Sequence, residues 1–248
     1  MGSPEGMYFA NNSTGGRCGT RPNTAVIIGN GGSVDTVPRA FWARCEAPDV
    51  LLAGTNRALC FEALRGVRLD AMVIRDSYRN LWHRQEWGER YHEELWKPAE
   101  CWKVGPAHRR VAHCDEYVRF VDGWQPRPER DRNGELAVMK NSSVVLMAAN
   151  WAYLRGARKI FLIGVDYRER HARMIGPYEL QSPGWEGQYD RPVPDYIERQ
   201  FGKAARAVER AGGRVVNLSP DTKLTSVPTK AWRSAAIWRP QAGRNESP

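Results

Sequence analysis

The sequence predicts an α/β fold in which a mainly parallel sheet is flanked by helices. Three observations carry that reading. Short apolar runs alternate with stretches of helical spacing along most of the 248 residues, the pattern of strand–helix–strand units. Each apolar run ends in glycine or polar residues, as strands do where an open sheet meets its ligand. No apolar run approaches the roughly 20 residues of a membrane-spanning helix, and no internal repeat competes.

The elements follow in order. The polar, Gly- and Arg-rich residues 1–22 read as a flexible tail without the apolar core of a signal peptide, so the cytoplasm is the default location. Thr24-Ala25-Val26-Ile27-Ile28 is the first strand, and it runs into Gly29-Asn30-Gly31-Gly32-Ser33. Asp49–Ala53 is the second strand, ending at Gly54-Thr55-Asn56; Ala71–Ile74 is the third, ending at Arg75-Asp76-Ser77. Residues 78–134 are less regular and read as a candidate acceptor-side insertion, with Tyr78, Trp82, His83, Trp87, Tyr91, His92 and Trp96 forming a core stripe or an acceptor lid. Within that region short strands are expected at Cys101–Val104 and Tyr117–Val121, and Gln125–Gly134 is a loop by its Pro and Asn-Gly content.

The second half is plainer. Asn141 or Ser142 caps a helix running to about Arg155, with Val144, Met147, Ala148, Trp151 and Leu154 along one face. Lys159–Ile163 is a buried strand leading to Gly164-Val165-Asp166-Tyr167. A loop of about 28 residues follows, long enough to be suspected as a functional lid. Pro194 opens a helix with Ile197, Phe201, Ala204, Val208 and Ala211 inside, and Arg214–Asn217 is the last strand. Residues 23–239 thus make one domain, and 240–248 a second tail.

Charge and cysteines bound the function. The net charge of +9 and pI near 9.5 favour anionic partners, and arginine's planar fork suits phosphate. Five scattered cysteines without a C-x-x-C pair read as reduced thiols rather than disulfides. A metal site on Cys114 with His113 or His108 is the minor alternative.

Four places carry candidate chemistry. Glycines at 29–33 let backbone amides approach a phosphate, with Asn30 and Ser33 adding side-chain donors; an ordinary tight turn explains them equally well. Asn141-Ser142-Ser143 at a helix start suits an anion, or is a plain N-cap. Asp166 at a strand end holds a ribose, a metal or a loop backbone. In the long loop, Arg168, Arg170, His171 and Arg173 lie near Tyr167 and Tyr178, cations and hydroxyls fit for a leaving phosphate, with His171 as a general base. A solvated basic loop is the alternative.

In their order these motifs resemble one superfamily. Gly-Asn-Gly-x-Ser after the first strand, Asn56 after the second, Asn141-Ser142-Ser143 before an Ala-rich helix, and Ile160 to Tyr167 form most of the match. Val193 to Tyr196, Val216 to Ser219 and Lys223-Leu224 extend it. The group joins bacterial lipooligosaccharide sialyltransferases, motility accessory factor-like glycosyltransferases and 6-hydroxymethylpterin pyrophosphokinase-like proteins. The resemblance covers residues 24–57 and 140–224.

It implies a Rossmann-like, glycosyltransferase-like fold and transfer from a nucleotide-sugar co-substrate, with no permanently bound cofactor and no required divalent metal. Gly29, Asn30, Gly31 and Ser33 would meet donor phosphate and ribose, and Asn56 the nucleotide. Asn141, Ser142 and Ser143 would contact donor sugar and phosphate. Tyr167 and Tyr178 would stand beside the leaving phosphate, and His171 resembles the histidine of the motility-factor branch. The residues read by position add Gly32 and Arg168 to the donor-binding set and Asp166 to the catalytic one.

Two departures narrow this. Gly32 replaces a usual proline, and no histidine follows His171, so a CMP-sialic acid transferase is disfavoured. Stand-alone domains of this kind in phage-like sequences point to DNA, through a hydroxymethylated base, as an acceptor beside glycan and protein hydroxyls. Host cytoplasm is then the location. Aromatic and arginine residues of 78–134 would receive a flipped base. The competing readings are a Mg/ATP pyrophosphokinase using Asp76, Asp166 and Asp190, and a non-catalytic nucleotide- or DNA-binding module.

Overall fold

The computed structural model describes residues 22–75, 81–82, 85–109, 111–139, 143–168, 171–176, 178 and 192–232. Eight strands form one sheet: β1 (Thr24–Ile28), β2 (Val50–Thr55), β3 (Ala71–Val73), β4 (Trp102–Pro106), β5 (Glu116–Val121), β6 (Leu136–Met139), β7 (Lys159–Ile163) and β8 (Arg214–Asn217). Their order is β6-β5-β4-β3-β2-β1-β7-β8, and every pairing is parallel. The helices are α1 (Arg39–Cys45), α2 (Gln85–Tyr91), α3 (Val144–Leu154) and α4 (Asp195–Arg210). No described helix is long and apolar enough to cross a membrane.

The α/β class expected from the sequence is the one found. β1 is buried along its whole length because both of its faces are covered, which is why its sequence is a continuous apolar run rather than an alternating one. Ala25 and Ile27 face one core with α3 and α4; Val26 and Ile28 face the other with α1 and the aromatic residues of 81–96. The region 78–134 is built into the sheet, contributing β4 and β5. β6 was not foreseen, because its four residues follow a polar loop with no periodic signal.

α3 also differs from expectation. Not one face but every residue from Val144 to Tyr153 is buried. Helices apolar all round are interior helices. Asn150, fully buried in its middle, explains how the neighbouring chain is held. Its Oδ1 accepts from the amides of Met139 (2.9 Å) and Gln125 (3.3 Å), and its Nδ2 donates to the Gln125 carbonyl. Where α3 meets β5, Glu116 accepts from Arg130 (2.7 Å), Arg155 (2.6 Å) and the Trp151 indole (2.8 Å).

The order of the strands reverses between β1 and β7. The reversal sets the loops after β1 and β7 next to each other at the carboxyl edge, the place where open α/β sheets take their ligands in a crevice.

Candidate functional site

The crevice is built by two loops that touch. Gly29 N donates to the Ile163 carbonyl (2.7 Å) and Gly31 N to the Gly164 carbonyl (2.8 Å). Ser33 donates its amide to Asp166 Oδ2 (2.7 Å) and its hydroxyl to Asp166 Oδ1 (2.5 Å). Gly164 N donates back to Ser33 Oγ at 3.1 Å.

Three amides of the expected phosphate cradle are therefore not free: those of Gly29, Gly31 and Ser33 donate to the end of β7 and the loop after it. The glycines are there for close approach instead. A Cβ on Gly29 would stand 2.5 Å from the Gly164 carbonyl oxygen, and one on Gly31 2.6 Å from Asp166 Oδ2. Asp166 is buried and, of its three proposed roles, performs the third: it holds a loop backbone.

What the crevice offers is two carboxamides. Ile28 pairs with Gly54 in the β1–β2 register, so Asn30 and Asn56 each stand two residues beyond a matched position. Asn56 has a left-handed backbone (φ 49). Its amide donates to the Val73 carbonyl (3.0 Å), and its carbonyl accepts from the Tyr91 hydroxyl (2.7 Å). With the main chain fixed on both sides, the side chain alone is uncommitted. Asn30 and Asn56 are the asparagines, among the described residues, whose buried Oδ1 has no hydrogen-bond partner. Each unpaired buried atom costs about 1–3 kcal/mol, a cost the fold does not explain.

His171 lies across the same mouth. Residues 171–176 strap the ends of β1 and β2: His171 bridges Gly31, Ala172 N donates to the Asn30 carbonyl (3.0 Å), and Ile175 N to the Cys60 carbonyl (2.7 Å). His171 Nδ1 approaches the Asn30 carbonyl at 3.3 Å. A carbonyl can only accept, so Nδ1 carries the proton and Nε2 the lone pair. Burial first, then the Arg57 charge, hold this imidazole below the ordinary value of 6.5, against the Asn30 bond and Asp166. Arg57, buried beside Asn56 with its guanidinium 5.0 Å from the Trp82 ring centroid, was missed in the sequence reading. So was Tyr91. Arg57's one sequence signal is its place directly after the strand-end asparagine.

The structure thus gathers Gly29 to Ser33, Asn56, Asp166 and His171, and disperses the rest. Tyr167 packs edge-on against Phe201 of α4, on one side of the sheet. Tyr178 is buried on the other side between Trp82 and Trp87, its hydroxyl donating to Glu94 at 3.0 Å. Burial first, then Glu94, push its phenol well above the usual range. The expected pair of tyrosines beside one phosphate is therefore not formed, because the sheet separates them. Arg168 donates to the Asp221 carbonyl.

Ser143 precedes α3, whose first turn brings Val145 against Gly29: a Cβ there would stand 3.2 Å from Val145 Cγ2. Asn141 and Ser142 lie outside the described residues, as do Tyr78, His83, Arg170, Asp76 and Asp190. Burial raises the Cys114 thiol to about 12. That opposes thiolate formation.

No protein-family model and no curated protein matches the chain. Three solved structures are similar in fold. The MAf glycosyltransferase from Magnetospirillum magneticum AMB-1 has a TM-score of 0.48 and 16% identity, over 87% of this chain and 35% of that one. A point mutant of the alpha-2,3/8-sialyltransferase CstII has a TM-score of 0.44 and 12% identity, over 84% of this chain and 86% of that one. A point mutant of the sialyltransferase Cst-II in complex with CMP has 0.43 and 14%, over 80% and 82%. The chain spans about a third (35%) of the length of the MAf glycosyltransferase.

Proposed function

We propose that the chain is a glycosyltransferase that moves a sugar from a nucleotide-activated donor to a hydroxyl acceptor. The observation that carries this is the pair of buried, unpartnered carboxamide oxygens of Asn30 and Asn56, each two residues past the last matched β1–β2 position at the carboxyl edge. Carboxamides donate and accept at once, the capacity needed for a ribose or a pyrimidine edge.

The proposed chemistry uses the chain's own groups. Asn56 holds the nucleotide and Asn30 the donor nearer the reacting carbon. His171, neutral at pH 7 with its lone pair on Nε2, takes the proton from the acceptor hydroxyl as that oxygen attacks the sugar. Arg57 supplies positive charge at the end of β2 for the departing phosphate. Asp166 is a positioning residue here rather than the base, since both its oxygens accept from Ser33.

Release of nucleoside mono- or diphosphate from a panel of nucleotide-sugars tests the reading. Free sugars, glycans and hydroxymethylated phage-type DNA would serve as acceptors. A donor that is consumed by the native protein and still bound, but not consumed, by His171→Ala is the expected result. Absence of binding and turnover with every donor refutes it, and Mg-dependent conversion of ATP to AMP would put pyrophosphoryl transfer in its place.

A further inference from the structure

A second surface lies at the other end of the molecule, between α3, α4 and the chain after β5. It is a groove of ≈ 500 Å³ lined by Trp124, Pro126, Tyr153, Lys203, Arg206 and Arg210. Tyr153 and Arg210 lie at the ends of α3 and α4 that lead into β7 and β8, so the groove opens toward the amino edge of the sheet, away from the crevice.

The chemistry of its wall is uneven in a telling way. Lys203, Arg206 and Arg210 of the groove, and Arg199 one turn beyond it, are all exposed and recur at intervals of four, three and four along α4. That spacing makes one stripe, about 16 Å long at 1.5 Å per residue. Among the described residues none of the four has an ion-pair partner. A face selected for solubility alternates its charges, whereas Arg199–Lys203 and Arg206–Arg210 are like-charge i,i+4 pairs, which weaken a helix. The acids of α4 are Asp195 and Glu198 in its first turn and Glu209 near its end, and Glu198 is occupied by Thr225 and Ser226.

The floor is aromatic. Trp124 and Tyr153 meet edge to face at 5.4 Å, and Arg158 covers the Tyr153 ring at 4.4 Å. The Trp124 indole N–H is buried without an acceptor.

We infer that this groove binds a single-stranded nucleic acid, with phosphates along the α4 stripe and a base against Trp124. Cations following a backbone beside an aromatic platform are what sequence-tolerant single-strand binding requires. An anionic membrane fits less well. The surface is concave, and Tyr196 is the one exposed large hydrophobic side chain among the described residues, so the stripe has no apolar wedge to insert. The inference is independent of what the crevice binds.

The test is fluorescence anisotropy of a labelled oligo-dT strand against the full chain over a series of salt concentrations. Four phosphate contacts give a log–log salt slope of about −2.8. Replacing Lys203→Ala, Arg206→Ala and Arg210→Ala together should reduce its magnitude by about 2. Trp124→Ala should weaken binding on the order of tenfold, and Trp124→Phe less. Circular dichroism of each variant separates these losses from unfolding. No binding at low salt overturns the inference, and so does binding untouched by the triple variant in a folded protein. Tighter binding to a duplex of equal length, or to phosphatidylserine-containing vesicles with the same loss in the triple variant, also overturns it.

Discussion

Ser33 gives both of its donors to Asp166: the amide to one carboxylate oxygen and the hydroxyl to the other, across 133 residues of chain. This pair ties the loop after β1 to the loop after β7 and so sets the width of the crevice. Hydrogen bonds to charged groups contribute about 1.5–3 kcal/mol. Asp166→Ala should lower unfolding free energy by that amount in urea titrations, and Asp166→Asn by less. Donor affinity should fall in both, because Asn30 rides on the tied loop.

Glycine substitutions should separate by sign. Gly29→Ala and Gly31→Ala place a methyl against a backbone carbonyl and a tied carboxylate, so each should cost about 1–3 kcal/mol. Gly202→Ala, inside α4, meets the end of the Arg206 side chain at 3.2 Å and Ser226 Cβ at 3.4 Å. Arg206 is exposed and can shift, and alanine favours helix by roughly 0.5–1 kcal/mol. That variant should be the more stable one in thermal melts.

The imidazole of His171 is held below 6.5 by burial and by Arg57. As a base it must be neutral, so turnover should be flat above about pH 6.5 and fall as pH drops through the lowered folded value. Stability follows the same sign. The unfolded chain binds the proton more readily, so this group's contribution is present above 6.5 and is lost as pH falls toward the folded value. His171→Asn should flatten the acid limb of a pH–rate profile. An unchanged limb would exclude His171 as the titrating base.

Glu116 joins Arg130, Arg155 and Trp151 inside the α3–β5 contact. Burial raises its carboxyl, but the Arg155 charge and the three hydrogen bonds outweigh that and hold it below 4.5. Its contribution is therefore present above the unfolded value and lost as pH falls through the lower folded one. Glu116→Ala leaves Arg155 without its carboxylate and should cost about 3–5 kcal/mol by chemical denaturation.

Tyr91 is fully buried, and its hydroxyl ends on the Asn56 carbonyl. Tyr91→Phe should cost about 1–3 kcal/mol of stability. If it positions Asn56, nucleotide affinity measured by titration calorimetry should fall with it. Packing alone would leave affinity unchanged.

Much of the fold was legible because β1 and β7 are apolar runs closed by glycine and β8 is a valine pair between Gly212-Gly213-Arg214 and Asn217, and their bounds match those read from the sequence. The strand-end residues Asn30, Asn56 and Asp166 were legible for the same reason, since the carboxyl edge of such a sheet is where its loops must meet. β6, Arg57 and the bond from Tyr91 to the Asn56 carbonyl carried no such signal. A four-residue edge strand has no period to read, and an arginine or tyrosine looks alike whether it packs, pairs or positions.

The sequence by itself determined the α/β class, the glycine turn after β1 and the polar strand ends, because periodicity and turn chemistry are local. Only the tertiary structure decided what those residues do. It committed the amides of Gly29, Gly31 and Ser33 to β7 and the loop after it, made Asp166 a clamp, placed Tyr167 and Tyr178 on opposite faces, and left the side-chain oxygens of two asparagines unsatisfied at one edge. The reason is physical: a hydrogen-bond donor has one best partner, and chain distances of a hundred residues or more decide which one reaches it.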